Sequence, residues 1–190
     1  MIFAMGIDVR ETNMAEIEER LSKMSTSLNK IAYLESAVKG NFTYDIKRNL
    51  WARLAALYEE SKMIDKAVKA ILNKAGVDIS KNDRIESFIK AAELYAKSGK
   101  LDEAEDIFKK ISKDEGSVQR ERVKLAMKNI YSLLAQEAEK KGKRTAAVKY
   151  YEKLIKMNLE DFEKAQIKEK LAEYYKSLAK FRELRALDQI

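Results

Sequence analysis

Residues 85–108 are IESFIKAAELYAKSGKLDEAEDIF. Phe88, Ala91, Ala92 and Tyr95 return every three or four residues, the spacing that gathers side chains onto one face of a helix. Gly99 follows at the place where a helix needs a left-handed residue to end. Leu101, Ala104 and Phe108 then take up the helical spacing again. The stretch therefore predicts two amphipathic helices joined by a tight turn. The small residues Ala92 and Ala104 let one helix approach the other closely.

The same order of features recurs on both sides. Trp51, Leu54, Ala55 and Tyr58 are followed by Ala67 and Ile71; Tyr131, Leu134, Ala135 and Ala138 by Gly142, Ala147 and Tyr151. Leu171, Ala172 and Tyr175 begin an incomplete fourth segment, before a helical stretch from about Phe181 to Ile190. The starts at 48, 85, 128 and 165 are separated by 37, 43 and 37 residues. The long interval falls around Ser112 to Glu121, where Asp114-Glu115-Gly116-Ser117 reads as an exposed loop. Repetition on this scale is the mark of a helical-repeat array.

Composition agrees. The 190 residues contain no proline and only six glycines, which favours helix almost throughout. With no cysteine and no histidine, disulfides, thiol nucleophiles, zinc sites and imidazole proton transfer are excluded. The glycines are scattered singly, so no loop is fitted to cradle phosphate, and no cofactor is expected. Adjacent carboxylates such as Glu59-Glu60 or Glu18-Glu19 project to different sides of a helix and make no catalytic pair. The expectation is a protein that is not an enzyme. The apolar start Met1–Gly6 is cut short by Asp8, Arg10 and Glu11, too soon for a signal peptide or a membrane span, and a cytoplasmic location without membrane contact is expected.

Ahead of the repeats, residues 1–47 form a separate N-terminal region. Asn13 followed by Glu16 resembles a capping box, and Ile17, Leu21, Met24, Leu28 and Ile31 predict a seam along one long helix running to about Val38. Ser22, Ser25, Thr26 and Ser27 weaken it in the middle. The seam is expected to pack against the next hairpin, and the amphipathic C-terminal stretch to cap the stack; either apolar side is alternatively one through which two copies of the chain would pair.

The repeats, residues 48–190, resemble the tetratricopeptide repeat, with its W-x2-L-G-x2-Y and later A-x3-F pattern. Residues 85–114 match most fully, through Ala92, Tyr95, Gly99, Leu101, Asp102, Ala104 and Phe108. No segment carries the proline that usually closes the unit. SNAP-like and 14-3-3-like arrangements share the same antiparallel array and stay open as alternatives. The resemblance implies an all-α, right-handed superhelix of antiparallel hairpins, with an extra N-terminal helix, acting as a scaffold or adaptor that holds a partner protein's peptide or helix in a concave groove.

Carried over position by position, the implied groove is formed by Asn49, Ala52, Ala56 and Glu59; Glu86, Ile89, Glu93 and Lys97; Asn129, Ser132, Gln136 and Glu139; and Gln166, Glu169 and Glu173. Ala52, Ala56 and Glu93, and Leu133 beside Asn129, depart from the family's carboxylate clamp. Glu86, Glu93, Glu169 and Glu173 point instead to a basic or amide-rich ligand. The net charge of +7 raises a second reading, a nucleic-acid-associated protein with a basic convex ridge of Lys66, Lys69, Lys74, Lys109, Lys110, Lys113, Lys149, Lys153 and Lys156. Both signs of charge alternate along most helices, which favours the groove.

Overall fold

A computed structural model describes residues 7–114 and 116–187, with the backbone alone for residues 112–114 and 117. The apolar start 1–6, Glu115 of the expected loop and the chain end 188–190 lie outside the described residues. Among the described residues the fold is entirely helical: α1 (Met14–Ser22), α2 (Ser27–Ala37), α3 (Tyr44–Glu60), α4 (Ile64–Val77), α5 (Lys81–Lys97), α6 (Leu101–Asp114), α7 (Ser117–Lys140), α8 (Arg144–Leu154), α9 (Asp161–Ser177) and α10 (Phe181–Leu187). The chain divides into two compact units, Met1–Gln119 and Arg120–Ile190. The sequence division at residue 47/48 marks where the repeat pattern begins, whereas these units mark where packing is densest.

The eight helices from α3 onward form four hairpins, and each hairpin turns through three residues. The central residue of each turn has positive φ: Lys62 (57°), Gly99 (86°), Gly142 (65°) and Ala179 (54°). The next amide reaches back five residues, from Met63 to Tyr58, Lys100 to Tyr95, Lys143 to Ala138 and Lys180 to Tyr175, at 2.8–2.9 Å. The central residue's own amide bonds three residues back, Lys62 to Glu59 and Gly142 to Glu139 among them. This pair of bonds is the Schellman motif, which satisfies carbonyls that the helix end leaves open. Two of the four turns carry glycine, and two force a side chain into the left-handed region.

In the first unit, α2 to α6 pack each against the next. Their shared core takes Leu34 and Ala37 from α2, Leu50, Leu54 and Tyr58 from α3, and Val68 and Ile71 from α4. The alanines expected between helices, Ala55, Ala67, Ala92 and Ala104, are buried. In the second unit, α9 packs on both α8 and α10. Its core includes Leu134, Ala135, Val148, Leu154, Leu171 and Leu187. Tyr58 donates to Glu35, and at the equivalent place in the second unit Tyr175 donates to Glu152 at 2.9 Å. Each bond ties the first helix of a hairpin to the second helix of the hairpin before it.

Two expectations about helix limits are corrected. The N-terminal helix is not continuous: α1 ends at Ser22 and α2 begins at Ser27. Thr26 caps α2 by accepting from the Asn29 amide at 3.2 Å, a side-chain bond that competes with a through-running helix. Leu28, one of the seam residues, is 66% exposed, so the seam is broken as well. α1 and α2 follow the repeat register, since Ile17, Leu21 and Leu34 fall 37 residues before Leu54, Tyr58 and Ile71, and all six are buried. Second, the expected loop at 114–117 is shorter than the sequence suggests, with Gly116 outside any helix. α6 runs through Asp114 and α7 starts at Ser117, so the longer repeat interval lengthens α7 to 24 residues.

Candidate functional site: two hollows built from the same repeat positions

The first helices of the hairpins, called A helices here, are α3, α5, α7 and α9. A hollow of about 360 Å³ opens between α3 and α5, and its lining includes Ala52, Ala56, Glu59, Glu86, Ser87 and Lys90. A second, of about 210 Å³, opens between α7 and α9, with Ser132, Gln136, Gln166, Ile167 and Lys170 in its lining. Ala52, Ala56, Glu86, Ser87 and Lys90 lie 80 residues before Ser132, Gln136, Gln166, Ile167 and Lys170. One structural position thus supplies each wall twice, with different chemistry: alanines in the first unit, a hydroxyl and amides in the second.

Both hollows are bounded at each end by an ion pair between A helices. At one end Arg48 meets Asp83 at 3.7 Å, and in the second unit Lys128 meets Glu163 at 2.6 Å. At the other end Lys90 meets Glu59 at 3.4 Å, and Lys170 meets Glu139 at 2.9 Å. Cation and anion exchange sides between the two ends. These pairs are partly exposed, so each stabilises weakly, and their main effect is to neutralise the carboxylates nearest the hollows.

The second-unit pair belongs to a larger network. Lys170 also donates to the Tyr151 hydroxyl at 2.9 Å and lies over that ring, and Tyr174 donates to Glu139 at 3.1 Å. The Tyr151 and Tyr174 rings stack 6.3 Å apart. Burial pushes the Glu139 carboxyl upward, but bonds from Lys170, Tyr151 and Tyr174 and the Lys170 charge outweigh it and hold the carboxyl below its ordinary value. The Lys170 ammonium is held above its ordinary value: burial works against the charge, and the Tyr151 and Glu139 bonds overcome it.

Beside the first hollow lies a buried ion pair. Lys74 donates to both Asp78 oxygens at 2.9 and 3.0 Å, Ser87 donates to Asp78 at 2.8 Å, and Lys74 reaches the Ser87 hydroxyl at 2.9 Å. The Asp78 side chain is fully enclosed. Every polar atom of this cluster has a partner, as burial of a charge demands.

The structure gathers some of the sequence-derived groove residues and leaves others apart. Ala52, Ala56, Glu59 and Glu86 line the first hollow, and Ser132, Gln136 and Gln166 the second. Glu139 borders the second through Lys170. Asn49, Ile89, Glu93, Lys97, Asn129, Glu169 and Glu173 line neither hollow; Asn49 instead bonds the Asp45 carbonyl. Sequence reasoning missed Lys90, Lys170, Lys128 and Glu163. The signal for Lys90 and Lys170 was a cation recurring at Arg53, Lys90 and Lys170, five residues before Tyr58, Tyr95 and Tyr175.

The basic ridge is less uniform than its sequence suggests. Lys74 is turned to Asp78, Lys66 meets Glu35 at 3.3 Å and Lys109 meets Asp106 at 3.1 Å. Trp51 and Phe88, which open the repeated pattern in their segments, are half-buried. Among the described residues no helix is long and apolar enough to cross a membrane, and no group of three acidic residues is placed to hold a metal ion.

Residues 129–161 match the family model of the tetratricopeptide repeat. The matched stretch is the hairpin α7–α8, one repeat on from the segment 85–114 where the motif is fullest by eye. With four hairpins closed by one turn motif, the chain is a tetratricopeptide-like helical-repeat protein. Such repeats generally mediate protein–protein interaction and are typically non-enzymatic. No match was found among curated proteins.

Proposed function

We propose that the chain is an interaction scaffold that holds a peptide or helix of a partner protein against its A helices, each hollow serving within its own unit as a subsite for a ligand side chain. The observation that carries this reading is the recurrence of the hollow at the same repeat positions, each time between ion pairs that cap its ends. Alanines at 52 and 56 leave room for a bulky side chain, while Ser132, Gln136 and Gln166 offer donors and acceptors. Glu59 and Glu139 are charge-paired, and the basic preference inferred from sequence rests on Glu86, in the lining of the first hollow, and on Glu93, Glu169 and Glu173, outside the hollows. The ligand class this supports is a segment rich in amide or basic residues with a bulky anchor, bound without catalysis.

Ala56→Tyr and Gln136→Tyr fill the hollows from exposed helical positions. Peptides selected on the wild-type chain from a displayed random library are expected to lose at least tenfold in affinity for one or both variants. Peptides that bind the variants and the wild type equally would refute the assignment of the binding face.

A further inference from the structure

The first unit has another hollow, of about 390 Å³, on a different face of α3. Trp51 lies on its wall, half-buried, between the apolar side chains of Val38 and Leu54. An indole left partly open in a cavity of this size is the kind of feature that anchors an interface. The charges around it are unequal. Glu35 accepts from Tyr58 and pairs with Lys66, so that carboxylate is already balanced. Lys39 and Lys69 are exposed on the rim and, among the described residues, neither forms an ion pair, although the Lys39 charge also acts on Glu35. The rim therefore keeps two positive charges over an apolar floor.

We propose that this hollow docks an acidic segment of a partner protein, with one aromatic or leucine side chain seated against Trp51 and flanking carboxylates on Lys39 and Lys69. The surface is separate from the A-helix hollows and does not depend on their function. A polynucleotide fits it less well. The unbalanced positive charge is confined to Lys39 and Lys69 at the rim of one hollow, whereas a phosphate backbone binds along a row of cations.

Trp51 is the only tryptophan, so its emission reports directly on this site. A random twelve-residue displayed library is selected on the full chain and counter-selected on a Lys39→Glu, Lys69→Glu variant, with an unchanged circular-dichroism melt establishing that the variant folds. The expected peptides carry Asp or Glu around a Phe, Trp or Leu, and bind wild type at least tenfold more tightly than the variant. Those lacking tryptophan shift Trp51 emission, and Ala56→Arg leaves their affinity unchanged. Absence of any peptide that discriminates the two proteins, or enrichment of non-acidic peptides, would overturn the proposal. A twelve-nucleotide oligothymidylate that shifts Trp51 emission at lower concentration than every selected peptide would overturn it in favour of nucleic acid.

Discussion

Lys170 on α9 donates to both carboxylate oxygens of Glu139 on α7 at 2.9 Å. Lys90 and Glu59, 80 residues earlier, join α5 to α3 at the equivalent positions by a longer ion pair of 3.4 Å. The two bridges differ in setting: Glu59 and Lys90 are both more exposed than Glu139 and Lys170. Lys170→Met should therefore cost about 1–2 kcal/mol, because it leaves Glu139 half-buried without its ammonium, while Lys90→Met should cost less than about 0.5 kcal/mol. Urea unfolding of both variants beside wild type measures the difference. Equal losses would show that the Tyr151 and Tyr174 network adds nothing to the ion pair.

The hairpin turns make a prediction of opposite sign at equivalent positions. Lys62 and Ala179 occupy left-handed backbone at 57° and 54°, where a side chain costs about 1–2 kcal/mol and glycine avoids that cost at some loss of chain entropy. Lys62→Gly and Ala179→Gly should each stabilise by roughly 0.5–1 kcal/mol, and Gly99→Ala and Gly142→Ala should each destabilise by about 1 kcal/mol. Thermal melts of the four variants check the signs together. Nothing lies within 4 Å of the Cβ that either alanine would add, so a loss there reports on backbone conformation and not on crowding.

The Asp78 cluster sets a larger penalty. Ser87→Ala removes a donor from an enclosed carboxylate that keeps Lys74, and should cost about 1–2 kcal/mol. Asp78→Ala strands the partly covered Lys74 ammonium and should cost more, about 2–3 kcal/mol. Chemical denaturation gives both values, and the order matters more than the sizes. A Ser87 loss exceeding the Asp78 loss would contradict the bonding described.

Stability should fall at both ends of the pH range. The Glu35 carboxyl is held below its ordinary value by the Tyr58 bond and, against the opposing effect of burial, by Lys66; Glu139 is held down by its own network. A depressed folded value means that the unfolded chain binds protons first on acidification. This stabilisation is complete above the ordinary carboxylate range, about pH 5, and is lost as pH falls from there through the lower folded values. The Tyr58 and Tyr175 phenols are raised by burial and by their bonds to Glu35 and Glu152. Their contribution is complete below about pH 10 and declines above it. Urea midpoints from pH 3 to 11 trace both limbs. Tyr58→Phe should flatten part of each, since it removes the Glu35 bond and the phenol together.

Much of the fold was legible because the hairpins repeat the same local demands: small residues where helices approach, a left-handed residue at the turn and, in all but the third, where Ala138 stands, an aromatic at the end of the first helix. The spacings 37, 43 and 37 also contained the 80-residue relation between the two hollows, since Asp83 and Glu163, or Lys90 and Lys170, fall on equivalent positions. What stayed hidden depended on partners in other helices. Glu59 and Glu139 look like free groove carboxylates until Lys90 and Lys170 are seen across from them. Lys74 looks like one more surface lysine, because only the course of the chain after α4 brings Ser87 against Asp78. The break between α1 and α2 was obscured by a seam whose spacing runs through Met24 and Leu28, and the caps at Asn13 and Thr26 were the better guide to two helices.

The most direct test of the scaffold reading is a nitrogen-15 chemical-shift titration of the chain with a peptide selected on it. The account predicts that the largest changes fall on residues around the hollows, Ala52, Ala56 and Glu86 in the first unit or Ser132, Gln136 and Gln166 in the second, and that they vanish in the matching tyrosine variant. Changes confined to other surfaces, and unaffected by Ala56→Tyr and Gln136→Tyr, would contradict it.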